Sequence, residues 1–221
     1  MGGLTPDGVL AIFDLDLTLI DSRKAIAGSF KRTLRRMGAH MVSEREIYSM
    51  IGIPLEQMFR SRIGEEKIKE ACKSYREDFA KTFATGTKPM PGTRRMLARL
   101  KRSGVKLAIF TTKKTEIAIM VLRHLGLLGS FDAVAGSYGF KPKPNPEAVY
   151  FLIKRLGRPN RTVFVGDSPM DVETAKNAGI PCIVVGSGSK ERIPHDARGI
   201  SFIKNIGELD EKEILRALGL E

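Results

Sequence analysis

Apolar positions along the chain fall into two regimes. Residues 8–14 (GVLAIFD), 105–112 (VKLAIFTT), 161–168 (RTVFVGDS) and 180–186 (IPCIVVG) are short, nearly unbroken apolar runs rich in Val, Ile and Phe. That is the pattern of strands buried on both faces of a parallel sheet. FDAVAG (131–136) and GISFI (199–203) read as two further, weaker strands. Between the runs lie segments of helical periodicity: 93–104, 116–127, 146–157, 170–179 and 211–220. Strands alternating with helices predict an α/β fold, a doubly wound parallel sheet of Rossmann-like type with helices on both faces.

From residue 22 to residue 85 the strand pattern disappears. RKAIAGSFKRTLRRMG (23–38) is an amphipathic helix closing at Gly38, a residue suited to the position after a helix end. SEREIYSMIG (43–52) opens with Ser43 and carries Glu46 three residues on, which predicts a capping box. LEQMFRSRIG and EEKIKEACKSYREDFAKTFA continue the helical pattern to residue 84. KPMPG (88–92) then marks the return to the sheet. The expected organisation is an α/β core of residues 1–21 plus 86–221, interrupted by an all-helical insertion of residues 22–85. In a doubly wound sheet the ligand lies beyond the carboxyl ends of the strands, so an insertion leaving just after the first strand would hang over that edge as a lid.

Three strands end in polar clusters: Asp14-Leu15-Asp16, Thr111-Thr112-Lys113 and Gly166-Asp167-Ser168. If the strands are neighbours, these side chains converge. Carboxylates at such density repel one another, and a divalent cation is the natural compensation. Oxygen ligands alone suit magnesium, which also takes a phosphate oxygen. A carboxylate can also attack phosphorus, and a second one can protonate a leaving oxygen and then activate water. Thr111 and a lysine would supply donors and positive charge to phosphoryl oxygens. Taken singly, each acid has a plainer reading: Asp14 and Asp16 as a strand end and turn, Asp171 as the cap of the helix that follows it. Asp21 and Ser22 read as the entry to the helical block and its cap. Lys113 and Lys114 read as charges on the rim.

Together these residues resemble the haloacid dehalogenase superfamily, at the phosphoglycolate phosphatase-like branch with a C1-type helical cap. The four family motifs occur in order. Asp-x-Asp-x-Thr is Asp14-Leu15-Asp16-Leu17-Thr18, the strand-terminal Thr is Thr111 in AIFTTKK, and Gly-Asp-x-x-x-Asp runs from Gly166 to Asp171. The motif lysine lies in KPKPNPEAVYFLIKRLG, where the interval to Leu156-Gly157 fits Lys143 rather than Lys141. The resemblance implies Asp14 as nucleophile, Asp16 as general acid and base, and Mg2+ held by Asp14, the backbone carbonyl of Asp16, and Asp167. It implies a phosphoryl group bound by Thr111, the Thr112 backbone and Lys143, with Thr18 and Asp171 in support, Asp171 at the metal or positioning the lysine. Thr112 departs from the Asn found in many relatives. Leu17 stands where glycine is the commonest occupant, and a leucine there is expected at negative φ. IGIPLEQMF (51–59) is similar to a stretch of the caps in this branch.

The implied activity is magnesium-dependent hydrolysis of a small phosphate monoester through an aspartyl-phosphate, with phosphoglycolate the leading substrate. Asp16 argues against dehalogenation, because a halide leaving group needs no proton. Pyrophosphatase and phosphomutase chemistry remain as alternatives. Phosphonate cleavage would need a cap lysine in an apolar setting, which the sequence does not show.

Composition adds one further class. The net charge is +12, of which residues 23–88 contribute +7, with 15 Lys plus Arg against 8 Asp plus Glu. This favours anionic partners, small phosphorylated molecules or nucleic acid. No aromatic interleaving suited to base stacking accompanies it, so a nucleic-acid-binding protein on this fold is the lesser reading. Cys72 and Cys182 read as reduced, buried thiols of a cytoplasmic protein. His40, His124 and His195 have no metal-ligand spacing. No run is long enough to span a membrane, and residues 1–7 match neither a secretory signal nor a myristoylation site, with Pro6 at its sixth position.

Overall fold

A computed structural model of the chain describes residues 8–137, 139–159, 161–186, 193 and 199–220. His195 and the N-terminal residues 1–7 lie outside the described residues. The chain divides into two compact units, Met1–Ile20 with Pro89–Glu221, and Asp21–Lys88.

The first unit is built on β1 (Val9–Phe13). The chain then passes through β2 (Ile20–Asp21), the helical unit and β3 (Lys88–Pro89), and continues through α5 (Thr93–Arg102), β4 (Lys106–Phe110), α6 (Thr115–His124), β5 (Ala133–Ala135), α7 (Glu147–Arg155), β6 (Arg161–Gly166), α8 (Pro169–Ala178), β7 (Cys182–Val185), β8 (Ile200–Ile203) and α9 (Glu211–Ala217). The helices of the inserted unit are α1 (Arg23–Arg36), α2 (Glu44–Ser49), α3 (Leu55–Arg60) and α4 (Ile68–Thr82).

The described strands form a six-stranded sheet in the order β5-β4-β1-β6-β7-β8, and every pairing in it is parallel. Every residue of β1 is buried, whichever face it points to, because both faces of the central strand are covered. On one face Leu10, Ile12, Phe110 and Phe164 join Val149 and Leu152 of α7 and Ala175 of α8 in a single apolar cluster. The expected strands and helices of this unit are all present; most are trimmed by one to three residues at an end, and α6 and α8 each begin one residue earlier than the pattern predicts. The short pairing of β2 with β3 was not expected, since neither two-residue segment has a strand pattern and Pro89 lacks an amide donor.

The helical unit has its own core. Phe30 stacks on Phe59 with ring centroids 4.5 Å apart. The series continues through Tyr75, Phe79 and Phe83 at centroid spacings of 6.2, 5.9 and 5.9 Å. Helix α1 packs on α4 and α2, and α3 on α4. Gly38 closes α1 at φ 67°, as the sequence predicts. The capping box at Ser43 is only half formed. Its side chain accepts from the Glu46 N–H, while the Glu46 carboxylate engages Arg62. Ser22 gives α1 no side-chain cap. Asp21 takes that task, accepting the Arg23 N–H at 3.2 Å and gripping the Arg23 guanidinium at 2.9 and 2.8 Å.

Candidate active site

Adjacent strands β4, β1 and β6 end side by side, so their terminal clusters meet. The Asp14 N–H continues the ladder to the Val165 carbonyl at 2.8 Å, fixing Asp14 beside the end of β6. Asp14, Asp16, Thr18, Thr111, Lys143, Asp167 and Asp171 are all buried. Charged side chains take such positions only when paired or functional.

Lys143 is the hub. Its Nζ donates to Asp14 Oδ1 and to Asp171 Oδ1, each at 2.7 Å. It also lies 5.0 Å from the ring centroids of Phe110 and Phe164, so an aromatic ring from each of two strands flanks the ammonium. Burial alone would lower the ammonium's pKa, but the charges of Asp14 and Asp171 outweigh it and the net shift is upward. Lys141, the other lysine of that segment, is exposed and uses its N–H to bind the Glu147 carboxylate.

Asp171 is held from below. Its Oδ2 accepts the N–H groups of Asp167 and Ser168 at 3.2 and 3.1 Å and the Ser168 hydroxyl at 2.6 Å. It is therefore the third helical residue, closing a capping box whose N-cap is Ser168, and not itself the cap. The fold leaves no room for a side chain at position 166, where a Cβ would lie 2.5 Å from Asp171 Cγ. That is the local reason for a glycine ahead of Asp167. Thr18 donates its hydroxyl to Asp167 Oδ1 at 2.8 Å.

Oxygen atoms of Asp14, Asp167 and Asp171 lie within 4.8 Å of one another. Burial first, then the neighbouring acids Asp171 and Asp16, push the Asp14 carboxyl up to about 7 against the pull of Lys143. Burial, with Asp171 and Asp14 beside it, also raises the Asp167 carboxyl well above its ordinary value. One ammonium among three carboxylates leaves an excess of negative charge, and an all-oxygen donor set of this kind fits a hard divalent cation.

Two details depart from sequence expectation. Leu17 sits at φ 63°, not at negative φ. The loop after β1 turns tightly enough to bring the Leu17 N–H to the Ile20 carbonyl at 2.7 Å, and the Leu19 and Ile20 N–H groups back to the Leu15 carbonyl. Closing that turn overrides the preference of a leucine. Lys113 is no rim charge: only 10% of its side chain is exposed, and its Nζ pairs with Asp16 Oδ2 at 2.7 Å. Its N–H lies 3.3 Å from Thr111 Oγ1. Gly136, at the end of β5, lets this loop settle. A Cβ there would lie 2.3 Å from the Thr115 nitrogen and 2.4 Å from the Lys113 carbonyl. The sequence signal was present in TTKKT followed by a strand ending in glycine, but it has meaning only once β5 lies beside β4. Thr112 is half-buried next to Thr111.

The family model for haloacid dehalogenase-like hydrolases matches residues 11–185. The tyrosine-protein kinase PtkA of Mycobacterium tuberculosis is 31% identical over 96% of this chain and 72% of its own length. A phosphoglycolate phosphatase of Rhodobacter capsulatus is 32% identical over 86% of this chain and 92% of its own. A pyrophosphatase PpaX of Halalkalibacterium halodurans is 30% identical over 94% of this chain and 92% of its own. Among solved structures, a predicted phosphatase from Clostridium acetobutylicum superposes with a TM-score of 0.83 at 27% identity, over 94% of this chain and 98% of that one. With the family match running from β1 to β7 and relatives of such identity along most of its length, the chain belongs to the haloacid dehalogenase-like hydrolases.

Proposed function

We propose that this family member is a magnesium-dependent phosphatase that hydrolyses a small phosphate monoester through an aspartyl-phosphate on Asp14, phosphoglycolate being the leading substrate. The observation that carries the reading is the placement of Asp14, Asp16 and Lys143 at one strand end, with Asp14 tied to Lys143 at 2.7 Å and Asp16 to Lys113 at 2.7 Å. Asp14, the Asp16 carbonyl and Asp167 would hold Mg2+, which when bound supplies the positive charge that these acids and a phosphoryl group lack.

In this scheme an Asp14 carboxylate oxygen attacks phosphorus as the bond to the leaving oxygen breaks. Asp16, oriented by Lys113, gives that oxygen its proton and later removes one from the water that cleaves the Asp14–phosphorus bond, releasing phosphate. Lys143 and the Thr111 hydroxyl, with the Thr112 backbone, bind the transferring group and stabilise its charge. Asp171, locked by the Ser168 loop, holds Lys143 in place. The unit Asp21–Lys88 is read as a C1-type cap that contributes substrate selectivity. Among the described residues no helix is long and apolar enough to cross a membrane. A cytoplasmic location is part of the proposal.

Pyrophosphate is the second reading, favoured by the similarity to PpaX. Phosphate release from phosphoglycolate, other sugar and acid phosphates and pyrophosphate, with Mg2+ and with EDTA, tests both. Transfer from ATP to protein tyrosine, measured in parallel, tests the alternative that the kinase relative raises. Turnover of a monoester that EDTA abolishes is expected; release unaffected by EDTA, or transfer to tyrosine without hydrolysis, overturns the proposal.

A further inference from the structure

Within the helical unit, Asp21, Lys24, Thr85, Gly86, Thr87 and Lys88 line a cleft of about 160 Å³. Four features of it point the same way. The first turn of α1 carries no acidic side chain, and Ser22 gives it no side-chain cap. Asp21, ahead of the helix, accepts the Arg23 N–H, and no acid on α1 itself stands at the positive end of its dipole. The segment before β3 runs against that turn, since a Cβ on Gly86 would lie 2.6 Å from the Ala25 nitrogen. Lys24 and Lys88 are exposed, and no direct ion pair engages either among the described residues. Thr87 is only 7% exposed, yet its buried hydroxyl has no hydrogen-bond partner. An orphaned buried hydroxyl is costly unless something else completes it. The single acid in the lining, Asp21, is neutralised by its two bonds to the Arg23 guanidinium.

We propose that this cleft is a second anion site, separate from the Asp14 centre, taking one tetrahedral phosphoryl oxyanion, either free phosphate or the phosphate of a small metabolite. The helix N-terminus contributes N–H donors, Lys24 and Lys88 supply charge, and the Thr87 hydroxyl donates to one oxygen.

The test is calorimetric titration of the full chain in EDTA, with inorganic phosphate in one arm and glycerol phosphate in the other. Without metal, the surplus of carboxylates at the Asp14 centre repels anions. Wild type and Lys143→Met are expected to bind one anion with equal affinity. Lys24→Gln/Lys88→Gln should bind at least about tenfold more weakly, and Thr87→Val about threefold more weakly, with melting temperatures showing that each variant is folded. Tighter binding of phosphate assigns the free ion, and tighter binding of the ester assigns a phosphorylated metabolite. No binding by wild type in EDTA overturns the site. So does binding that survives in Lys24→Gln/Lys88→Gln but is lost in Lys143→Met. Phosphatase activity enters none of these readouts, so the site and the proposed catalysis can fail independently.

Discussion

Each unit of the molecule contains a charge triad built around one buried group, and the two triads are opposite in design. In the sheet unit, Lys143 sits between Asp14 and Asp171, each 2.7 Å away, with Asp167 beside them, and all four are buried. In the helical unit, Asp78 sits between Arg32 and Arg36 at 2.7 and 2.9 Å. Asp78 is buried, but 38% and 52% of the two arginine side chains are exposed. The second triad can dissipate its surplus charge into water. The first cannot, and it carries its surplus as negative charge in a place that water barely reaches. Arg32 and Arg36 draw the Asp78 carboxyl down to about 2 despite its burial, whereas burial and neighbouring acids push Asp14 up to about 7. A charged group drawn toward its ordinary ionised state by its surroundings is structural. One held against that state, next to other acids, is a candidate for ligand binding.

The largest effect that bears on this contrast is expected from Asp14→Asn. If Asp14 is the nucleophile, kcat for a phosphate monoester with Mg2+ should fall by at least about 10³-fold, roughly 4 kcal/mol in barrier. The fold should hold, because the amide removes one of the crowded charges. Near wild-type turnover would break the assignment.

Lys143→Ala comes next. Removing the one ammonium from the buried acids is expected to cost about 3 kcal/mol of stability and about 10²-fold in kcat. Lys141→Ala, at an exposed position, should change both by little. Chemical denaturation and steady-state kinetics on the pair of variants separate the two lysines, and equal losses would show that the buried triad is not the working one.

For the helical triad the expected signature is stability without chemistry. Asp78→Asn should cost about 1–2 kcal/mol and leave turnover of a generic aryl phosphate unchanged. The sign of its pH dependence follows from the lowered carboxyl. Folded Asp78 titrates near 2, below its ordinary value of 3.8, so its contribution is complete above pH 3.8 and is lost as pH falls toward 2. The melting-temperature gap between wild type and Asp78→Asn should therefore be constant from neutral pH to about pH 4 and close below it. A gap that widened on acidification would reverse the assignment.

The same contrast governs what could be read from sequence. Strands β1, β4, β6 and β7 were legible because full burial on two faces demands continuous apolar runs, and the polar residues that end them announced Asp14, Thr111 and Asp167. Lys143 was legible only through its spacing to Leu156-Gly157; nothing in KPKP itself separates it from Lys141. Lys113 was misread because burial of a lysine depends on Asp16 and on Gly136, which come together only when the sheet forms. Asp78 and the Arg32–Arg36 pair carried no signal at all. One acid and two bases on different helices are indistinguishable in sequence from a solvated face.

Leu17 is the smallest and sharpest probe of the sheet-unit site, because there the sequence expectation failed on backbone rather than on charge. At φ 63° a leucine bears strain of about 1 kcal/mol that glycine does not, while glycine adds freedom to the unfolded chain worth about 0.5–1 kcal/mol. The two terms nearly cancel when wild type is compared with Leu17→Gly, and the half-buried side chain is lost as well. The informative comparison is Leu17→Gly against Leu17→Ala, which lose the same side-chain contacts and differ in whether the left-handed turn is strained. At an ordinary exposed position glycine is the less stable of the two. At position 17 it should match or slightly exceed alanine, a shift of about 1 kcal/mol from the usual order. Thermal denaturation of the two variants decides it. Alanine ahead of glycine by the ordinary margin would mean that the turn carrying Asp16 and Thr18 stores no strain.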